Sequence, residues 1–299
     1  MKVLVTGGCG FIGSHLVDYL IENNYEVITV DDLSANNEQF YFNKKAKNYK
    51  FSITNTKKLM NVSKGCKFVF HLAAESRLQT ATENPKKALE TNVGGTLSVL
   101  ECCKEHAMGI IFSSTSSVYG LTDVLPITEN HREDCLNPYA STKYAAELLI
   151  RNFNTLHGVS ATILRYFNVF GERAPSAGQY ALVTGIFLNQ KRLNTPLTVV
   201  GDGTQKRDFI YVKDVVRANY LAMTLQSEIP ELASAVPFNI GSSTEVSVID
   251  LAKTISNDIV FVPKRKGEAV NNLCSNQKFS NKTGWSPTVS ILDWVGSQI

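Results

Sequence analysis

The chain has 299 residues, 43% hydrophobic and 19% charged, with 30 Lys and Arg against 27 Asp and Glu for a net charge of +3. Such apolar content excludes disorder and a fibrous or low-complexity protein, and the length allows one large domain or two modest ones, each with a sizeable core. The small net charge and the lack of long like-charge runs weigh against a nucleic-acid-binding surface.

Six cysteines, at positions 9, 66, 102, 103, 135 and 274, are scattered. Only 102 and 103 are close, so neither CxxC metal spacing nor a disulfide framework is present, and free thiols in a reducing compartment are expected. The first apolar run, Val3 to Val5, is too short for a secretory signal. No stretch approaches the roughly 20 apolar residues of a membrane span. The sequence therefore predicts a soluble cytoplasmic protein that binds neither membrane nor nucleic acid.

Short apolar or β-branched runs at Val3–Val5, Val27–Val30, Lys67–Phe70, Ile110–Phe112 and Thr162–Leu164 read as buried parallel strands. Between them, Phe11–Glu22, Pro85–His106 and Tyr139–His157 carry apolar residues at helical spacing. This alternation implies an α/β fold, a doubly wound parallel sheet with helices on both faces, binding ligands beyond the carboxyl ends of its strands. After Arg165 the pattern turns irregular. A loop at 171–178 and a tight turn at Gly201–Gly203 precede a short strand, Phe209–Val212, that leads into a helix over Asp214–Leu225. Residues 1–165, with 208–235 returning to them, are expected to form the larger domain. Residues 166–207 and 236–299 are expected to form a smaller, partly interleaved domain over the carboxyl edge of the sheet.

The stretch Gly7-Gly8-Cys9-Gly10-Phe11-Ile12-Gly13 lies between a strand and a helix. Glycines at 7, 10 and 13 permit a tight turn, close approach of backbone amides to a pyrophosphate, and close packing of helix on strand. With Asp31 at the end of the next strand, the context is that of dinucleotide binding. The Asp31 carboxylate suits ribose hydroxyls and repels a 2′-phosphate. Asp32 follows where an Arg would more usually serve NADP, so NAD is the predicted cofactor.

Tyr139 and Lys143 are four apart on a predicted helix and share a face. A phenol with a pKa of about 10 is a poor base at neutral pH, but a neighbouring ammonium and a bound nicotinamide cation stabilise the phenolate. Thr115 follows the Ile110–Phe112 strand on a Ser/Thr-rich stretch.

The chain resembles the extended short-chain dehydrogenase/reductases, specifically NAD-dependent nucleotide-sugar epimerases and dehydratases. The resemblance covers nearly the whole length. It rests on Thr6–Gly13, Asp31, His71-Leu72-Ala73-Ala74, Asn92, Ser113–Tyr119, Tyr139 with Lys143, Arg165–Gly171, Gly203 with Arg207-Asp208-Phe209, and Arg265-x-Gly267-Glu268. It implies a Rossmann NAD-binding domain and a nucleotide-sugar-binding domain over the ranges above.

By this resemblance Tyr139 is the base, Lys143 tunes it and holds the nicotinamide ribose, and Thr115 bonds the reacting oxygen. The cofactor site also takes in Gly7, Gly10, Phe11, Ile12, Gly13, Asp31, Asp32, Leu72, Ala73, Ala74, Ser113 and Tyr166. Asn92 belongs to the same set, with helix positioning as its preferred role. Asn168, Arg207 and Arg265 are expected to grip the diphosphate, where the Arg fork matches phosphate oxygens. Arg77, Ser116, Glu268 and Asn272 complete the expected substrate site. One departure is Ser52-Ile53, where many relatives carry Asp-Ile, so the adenine amino contact is weaker or made elsewhere. The chain also ends soon after Trp294, which implies a short final helix.

Oxidation at sugar C4 gives a 4-keto intermediate common to several reactions in this family. Dehydratases carry Asp-Glu or a nearby Glu after the catalytic Thr, and decarboxylases commonly a Glu. Here Ser116 and Ser117 follow Thr115, and neither hydroxyl is suited to abstracting a carbon-bound proton. The expected function is therefore a 4-epimerase acting on UDP-glucose and UDP-galactose. Asn272, smaller than the aromatic residue of glucose-restricted forms, extends this to UDP-N-acetylglucosamine and UDP-N-acetylgalactosamine. A 4,6-dehydratase or decarboxylase of a dTDP-, GDP- or UDP-sugar is the alternative, favoured by the dehydratase-like His71–Arg77. A non-catalytic NAD-binding regulator is disfavoured by the presence together of Thr115, Tyr139 and Lys143. The family also implies a homodimer paired through helices 85–106 and 139–157.

Overall fold

A computed structural model describes residues 1–35, 40–176, 181–263 and 271–299. Its strands are β1 (Lys2–Thr6), β2 (Glu26–Asp31), β3 (Lys47–Lys50), β4 (Phe68–His71), β5 (Gly109–Thr115), β6 (Ala161–Tyr166), β7 (Asn168–Phe170), β8 (Leu197–Val200), β9 (Lys206–Tyr211), β10 (Ser234–Ile240), β11 (Glu245–Ser247) and β12 (Ile259–Val262). The helices are α1 (Phe11–Glu22), α2 (Thr56–Ser63), α3 (Leu78–Glu83), α4 (Pro85–Leu89), α5 (Gly95–His106), α6 (Pro138–His157), α7 (Val183–Arg192), α8 (Val212–Thr224), α9 (Val248–Ile255), α10 (Gln277–Thr283) and α11 (Ile291–Gly296).

Seven strands pair in parallel in the order β10-β6-β5-β4-β1-β2-β3. The central strands are apolar because helices cover both faces, and every residue of β5 is buried. On one face, α1 and α8 pack against each other over a core that includes Leu16, Leu20, Val215, Phe238 and Trp285. On the other, α2, α5 and α6 cover Leu4, Ile28, Val69, Ile110 and Ile163. The chain lays β1, β2 and β3 outward to one edge, then returns to place β4 beside β1. A crevice opens where the order reverses, at the carboxyl ends of β1 and β4. A three-stranded sheet, β11-β9-β7, and a two-stranded sheet, β12-β8, form a separate core around Phe170, Phe187, Val199 and Leu251.

Three features depart from the sequence expectation. The stretch 85–106 is not one helix: α4 and α5 are joined by a π-helical turn, Glu90–Gly94. Strand β3, Lys-Asn-Tyr-Lys, has no apolar run and only Tyr49 is even partly buried, so it carries no strand signal; register with β2 makes it an edge strand. Finally, α8 packs on α1, whereas β9 pairs in the small sheet. Strand β10 runs past residue 235 as the outermost strand of the large sheet, because Phe238 and Ile240 bury against its core beside β6. The final helix, α11, is six residues long. Among the described residues no helix is long and apolar enough to cross a membrane.

Candidate active site

A cleft of about 370 Å³ runs along the carboxyl ends of β1, β2, β4, β5 and β6. It brings together Gly7, Gly10, Phe11, Ile12 and Gly13 of the first turn, Asp31 and Asp32 after β2, Ile53, and Leu72, Ala73 and Ala74 after β4. Arg77, Ser113, Thr115, Tyr139, Lys143, Tyr166 and Asn168 line its other parts.

The glycines are required by contact. A Cβ on Gly13 would lie 2.1 Å from the Gly7 carbonyl oxygen, and one on Gly7, whose φ is +71°, would lie 2.8 Å from Ala73 N. Helix α1 therefore starts directly over the turn, and its first-turn amides, which have no partner four residues back, face the cleft. Asp31 accepts from Cys9 N at 3.0 Å and Leu33 N at 2.9 Å. Burial raises its pKa, and those two amides work against the rise.

At the other end, Asn137 caps α6 by accepting from Ala140 N at 2.9 Å, with Pro138 in the first turn. This cap starts the helix immediately before Tyr139 and so fixes the phenol over the end of β5. Burial raises the Tyr139 pKa, while the Thr115 hydroxyl and the Arg77 charge oppose the rise. Lys143, one turn along, is 3% exposed and sits 4.2 Å from the centroid of the Phe112 ring. Burial pulls its ammonium down to about 7, against the opposing pull of Glu147. The Tyr166 hydroxyl hydrogen-bonds Ser113 Oγ at 3.0 Å and accepts from Asn219 Nδ2 at 2.7 Å.

Asn92 is buried and does not line the cleft. Its amide donates to Thr142 Oγ1 at 2.9 Å and to Glu75 O at 3.0 Å, and its Oδ1 accepts from Glu75 N at 2.7 Å. It therefore holds α6 beside the loop after β4, which corrects its grouping with cofactor contacts. The same turn is reached from β1 by a chain of hydrogen bonds. Thr96 Oγ1 donates to Asn92 O at 2.6 Å, so it accepts from His71 Nε2 at 2.9 Å; His71 Nδ1 then accepts from Thr6 Oγ1 at 2.7 Å. Thr6 Oγ1 also accepts from Ala73 N at 3.2 Å.

Other expected residues lie elsewhere. Ser52 is outside the cleft, bonded to Thr54 Oγ1 at 2.9 Å, while its neighbours Phe51 and Ile53 line it. Ser116 turns into the interior, and Ser117 lines the cleft instead, donating its amide to Thr115 Oγ1 at 3.1 Å. Arg207 is half-buried on β9, off the cleft, with Nη1 bonded to Lys206 O at 2.9 Å. Asn272 O accepts from Asp208 N at 2.8 Å, and the buried Asn272 Oδ1 has no partner among the described residues. Arg265 and Glu268 lie outside the described residues. Phe51, Thr91, Pro175 and Leu182 also line the cleft but carry no motif that singles them out in the sequence, and Phe167 lines it from within the Arg165–Gly171 motif without having been assigned a role.

Residues 3–241 match the NAD dependent epimerase/dehydratase family. The fold is shared with UDP-glucose 4-epimerase from Thermotoga maritima, solved with UDP-glucose, at 34% identity and a TM-score of 0.91 over 99% of this chain and 96% of that one. UDP-glucuronic acid 4-epimerase from Bacillus cereus, solved with UDP-glucuronic acid and NAD, is 29% identical with a TM-score of 0.89 over 100% and 98%. UDP-glucose 4-epimerase of Lactobacillus helveticus is 29% identical over 99% of this chain and 94% of its own. The chain belongs to the NAD-dependent epimerase/dehydratase family, in which the cofactor is NAD. Its relatives place it with the nucleotide-sugar epimerases, which are isomerases.

Because His71 is fully enclosed, its pKa falls to about 3, from an ordinary value of 6.5. The folded protein therefore holds it neutral, whereas the unfolded chain takes up a proton below about pH 6.5. Its contribution is present above that pH and is lost as pH falls from about 6.5 toward 3. Thermal melts of the protein and His71→Gln between pH 8 and 4 check this: the gap between the two Tm values should narrow on acidification. A gap that stays constant or widens refutes it.

Proposed function

We propose that the chain is a UDP-sugar 4-epimerase working through a transient 4-keto sugar. One observation carries this reading: the only carboxylates among the described cleft residues are Asp31 and Asp32, at the end of β2. Tyr139 and Thr115 lie three strand spacings away, about 14 Å. Around them, among the described residues, stand hydroxyls and cations, Ser117, Lys143 and Arg77, with no acid to remove a carbon-bound proton or expel the C6 hydroxyl. A nucleotide sugar oxidised at C4 there has re-reduction as its available outcome. The UDP-glucose and UDP-glucuronic acid of the solved relatives support a UDP-sugar as substrate.

The cleft fits NAD in shape and chemistry. The first-turn amides of α1 and the open side of Gly10 would hold the pyrophosphate, Asp31 the adenosine ribose, and Lys143 the nicotinamide ribose, with Leu72–Ala74 and Tyr166 against the rings. When bound, NAD supplies a reversible hydride acceptor. Tyr139 Oη takes the proton of the sugar O4 hydroxyl and returns it, Thr115 Oγ1 orients that oxygen, and the Lys143 ammonium favours the phenolate. The sheet domain would carry the cofactor and the smaller sheets the nucleotide. Asn168 lies at the cleft edge, and Arg207 and Arg265 are assigned to the diphosphate.

Incubation with UDP-, dTDP- and GDP-sugars, read by NMR, should give C4 inversion of a UDP-sugar. A 6-deoxy-4-keto product or release of CO₂ would show the dehydratase or decarboxylase instead. Tyr139→Phe should lower kcat by about 10²–10⁴-fold with NAD still bound. A variant as fast as the parent would remove Tyr139 from the chemistry.

Asn272 lies beside Asp208 and outside the described cleft lining, and its assignment to the wall that admits the N-acetyl sugar rests on its small size. Asn272→Tyr should suppress turnover of UDP-N-acetylglucosamine and spare UDP-glucose; equal retention of both rejects this.

Leu97 on α5 and Leu148 on α6 are 39% and 43% exposed, apolar side chains available to the homodimer that the family resemblance implies through these helices. Sedimentation should show a dimer that Leu97→Lys with Leu148→Lys converts to monomer. A parent that sediments as a monomer excludes it.

A further inference from the structure

On α6 the spacing of four that joins Tyr139 to Lys143 continues to Glu147, a fully enclosed carboxylate. Glu147 Oε1 accepts from Arg165 Nε at 2.9 Å and from Ser114 Oγ at 2.5 Å, and Oε2 accepts from Arg165 Nη2 at 2.6 Å. Ser114 precedes Thr115 at the end of β5, and Arg165 precedes Tyr166 at the end of β6. One side chain thus bolts the base-bearing helix to both strands that present the other reacting-end residues.

We propose that Glu147 is a positioning residue for the reaction: its carboxylate keeps the Lys143 ammonium charged and ties the Tyr139–Lys143 face of α6 to the strands ending at Thr115 and Tyr166. The proposal rests on the roles given above to Tyr139 and Lys143. The surroundings leave Glu147 as the anion that acts on Lys143. His71, facing Lys143 from β4, is neutral and doubly hydrogen-bonded. Glu75 is engaged by Lys87 of α4 at 3.0 Å. Arg77 acts on Tyr139 from the start of α3. Behind Glu147, Arg165 is shared with Glu133 at 2.7 Å and stacks 4.7 Å from the centroid of the Tyr119 ring, while Arg151 reaches Glu147 at 3.4 Å. Two cations and two anions balance there, and Lys143 stands on the Glu147 side.

Loss of the negative charge disfavours the ammonium, so Lys143 should lose its proton at a lower pH. On the NAD-loaded enzyme, Glu147→Gln should move the alkaline limb of kcat/KM down by about one pH unit or more. An NMR titration of ¹³C-labelled lysines, with Lys143 assigned through Lys143→Met, should report the same shift without turnover. Arg151→Gln, which relieves Glu147 of a competing cation, should not move the limb downward. If Glu147→Gln does not fold, Glu147→Gln with Arg165→Gln removes both members of the buried pair; the lost cation offsets part of the effect, so the Lys143 titration should still move down but by less, and an unmoved or raised titration overturns the proposal. A folded variant with a lower Tm but an unmoved limb and an unmoved Lys143 titration overturns the proposal, leaving Glu147 a purely structural brace. If instead Lys143→Met has no effect on the limb in the parent, it is the underlying role of Lys143 that fails.

Discussion

Helix α6 buries an ammonium and a carboxylate one turn apart on a single face, and the reacting end of the cleft depends on keeping both there. Moving such charges out of water is costly unless each is partnered. Glu147 meets the fork of Arg165 on two oxygens, and Lys143 rests on the face of Phe112. The same dry surroundings shift Tyr139 and Lys143 in opposite directions, the phenol upward and the ammonium down to about 7. Without a ligand the phenol is therefore held neutral. On the proposed reading, a positive charge brought into the cleft next to it would favour its ionisation, so base strength would be coupled to occupancy by a cationic cofactor.

Helix α6 must also be held in register with the glycine turn that receives the cofactor. The hydroxyl and imidazole chain from Thr6 through His71 and Thr96 to Asn92 does this, and Asn92 passes the restraint to Thr142, next to Lys143. The π-helical turn at Glu90–Gly94 sits at the centre of this chain. An extra residue in one helical turn alters the direction in which Asn92 points, and such bulges recur at functional sites. Here the irregular turn places the amide between the loop after β4 and α6, where it makes three hydrogen bonds, while the neighbouring Thr91 faces the cleft.

The parts of this architecture legible in the sequence are those set by local pattern. Fully buried strands show as apolar runs, so β1, β2, β4, β5 and β6 stand out. The Gly7–Gly13 turn is legible from its glycine spacing together with the strand before it, the helix after it and Asp31, while the Tyr139/Lys143 pair shares a helix face by spacing and gains a role only through the family resemblance. Strand β3 does not, because an exposed edge strand needs no apolar alternation, and with it hidden there was no reason to single out Phe51 at its end. Ser116 and Ser117 are equivalent in sequence; only the tight turn after Thr115 decides that one is buried and the other open to the cleft. Arg207 matches a motif yet stands off the described cleft, because β9 belongs to the small sheet rather than to the sheet whose edge forms it.

The composition is nearly balanced in charge, and on the proposed reading the cleft would manage a doubly anionic substrate without a basic surface. Among the described residues its carboxylates are gathered at the end of β2, where on the proposed reading they would meet hydroxyls of a ribose rather than phosphate. Toward β4 and β5, Arg77 and Lys143 stand among hydroxyls. Field strength at that end comes from burial rather than from the number of cations, since one ammonium in a low-dielectric pocket acts more strongly than several in water. A carboxylate in the same place would be raised in pKa and would serve as an acid or base toward carbon. On the proposed reading, the Ser116-Ser117 pair leaves the oxygen-bound proton as the one that Tyr139 exchanges, and reversal at a single carbon is the chemistry consistent with it.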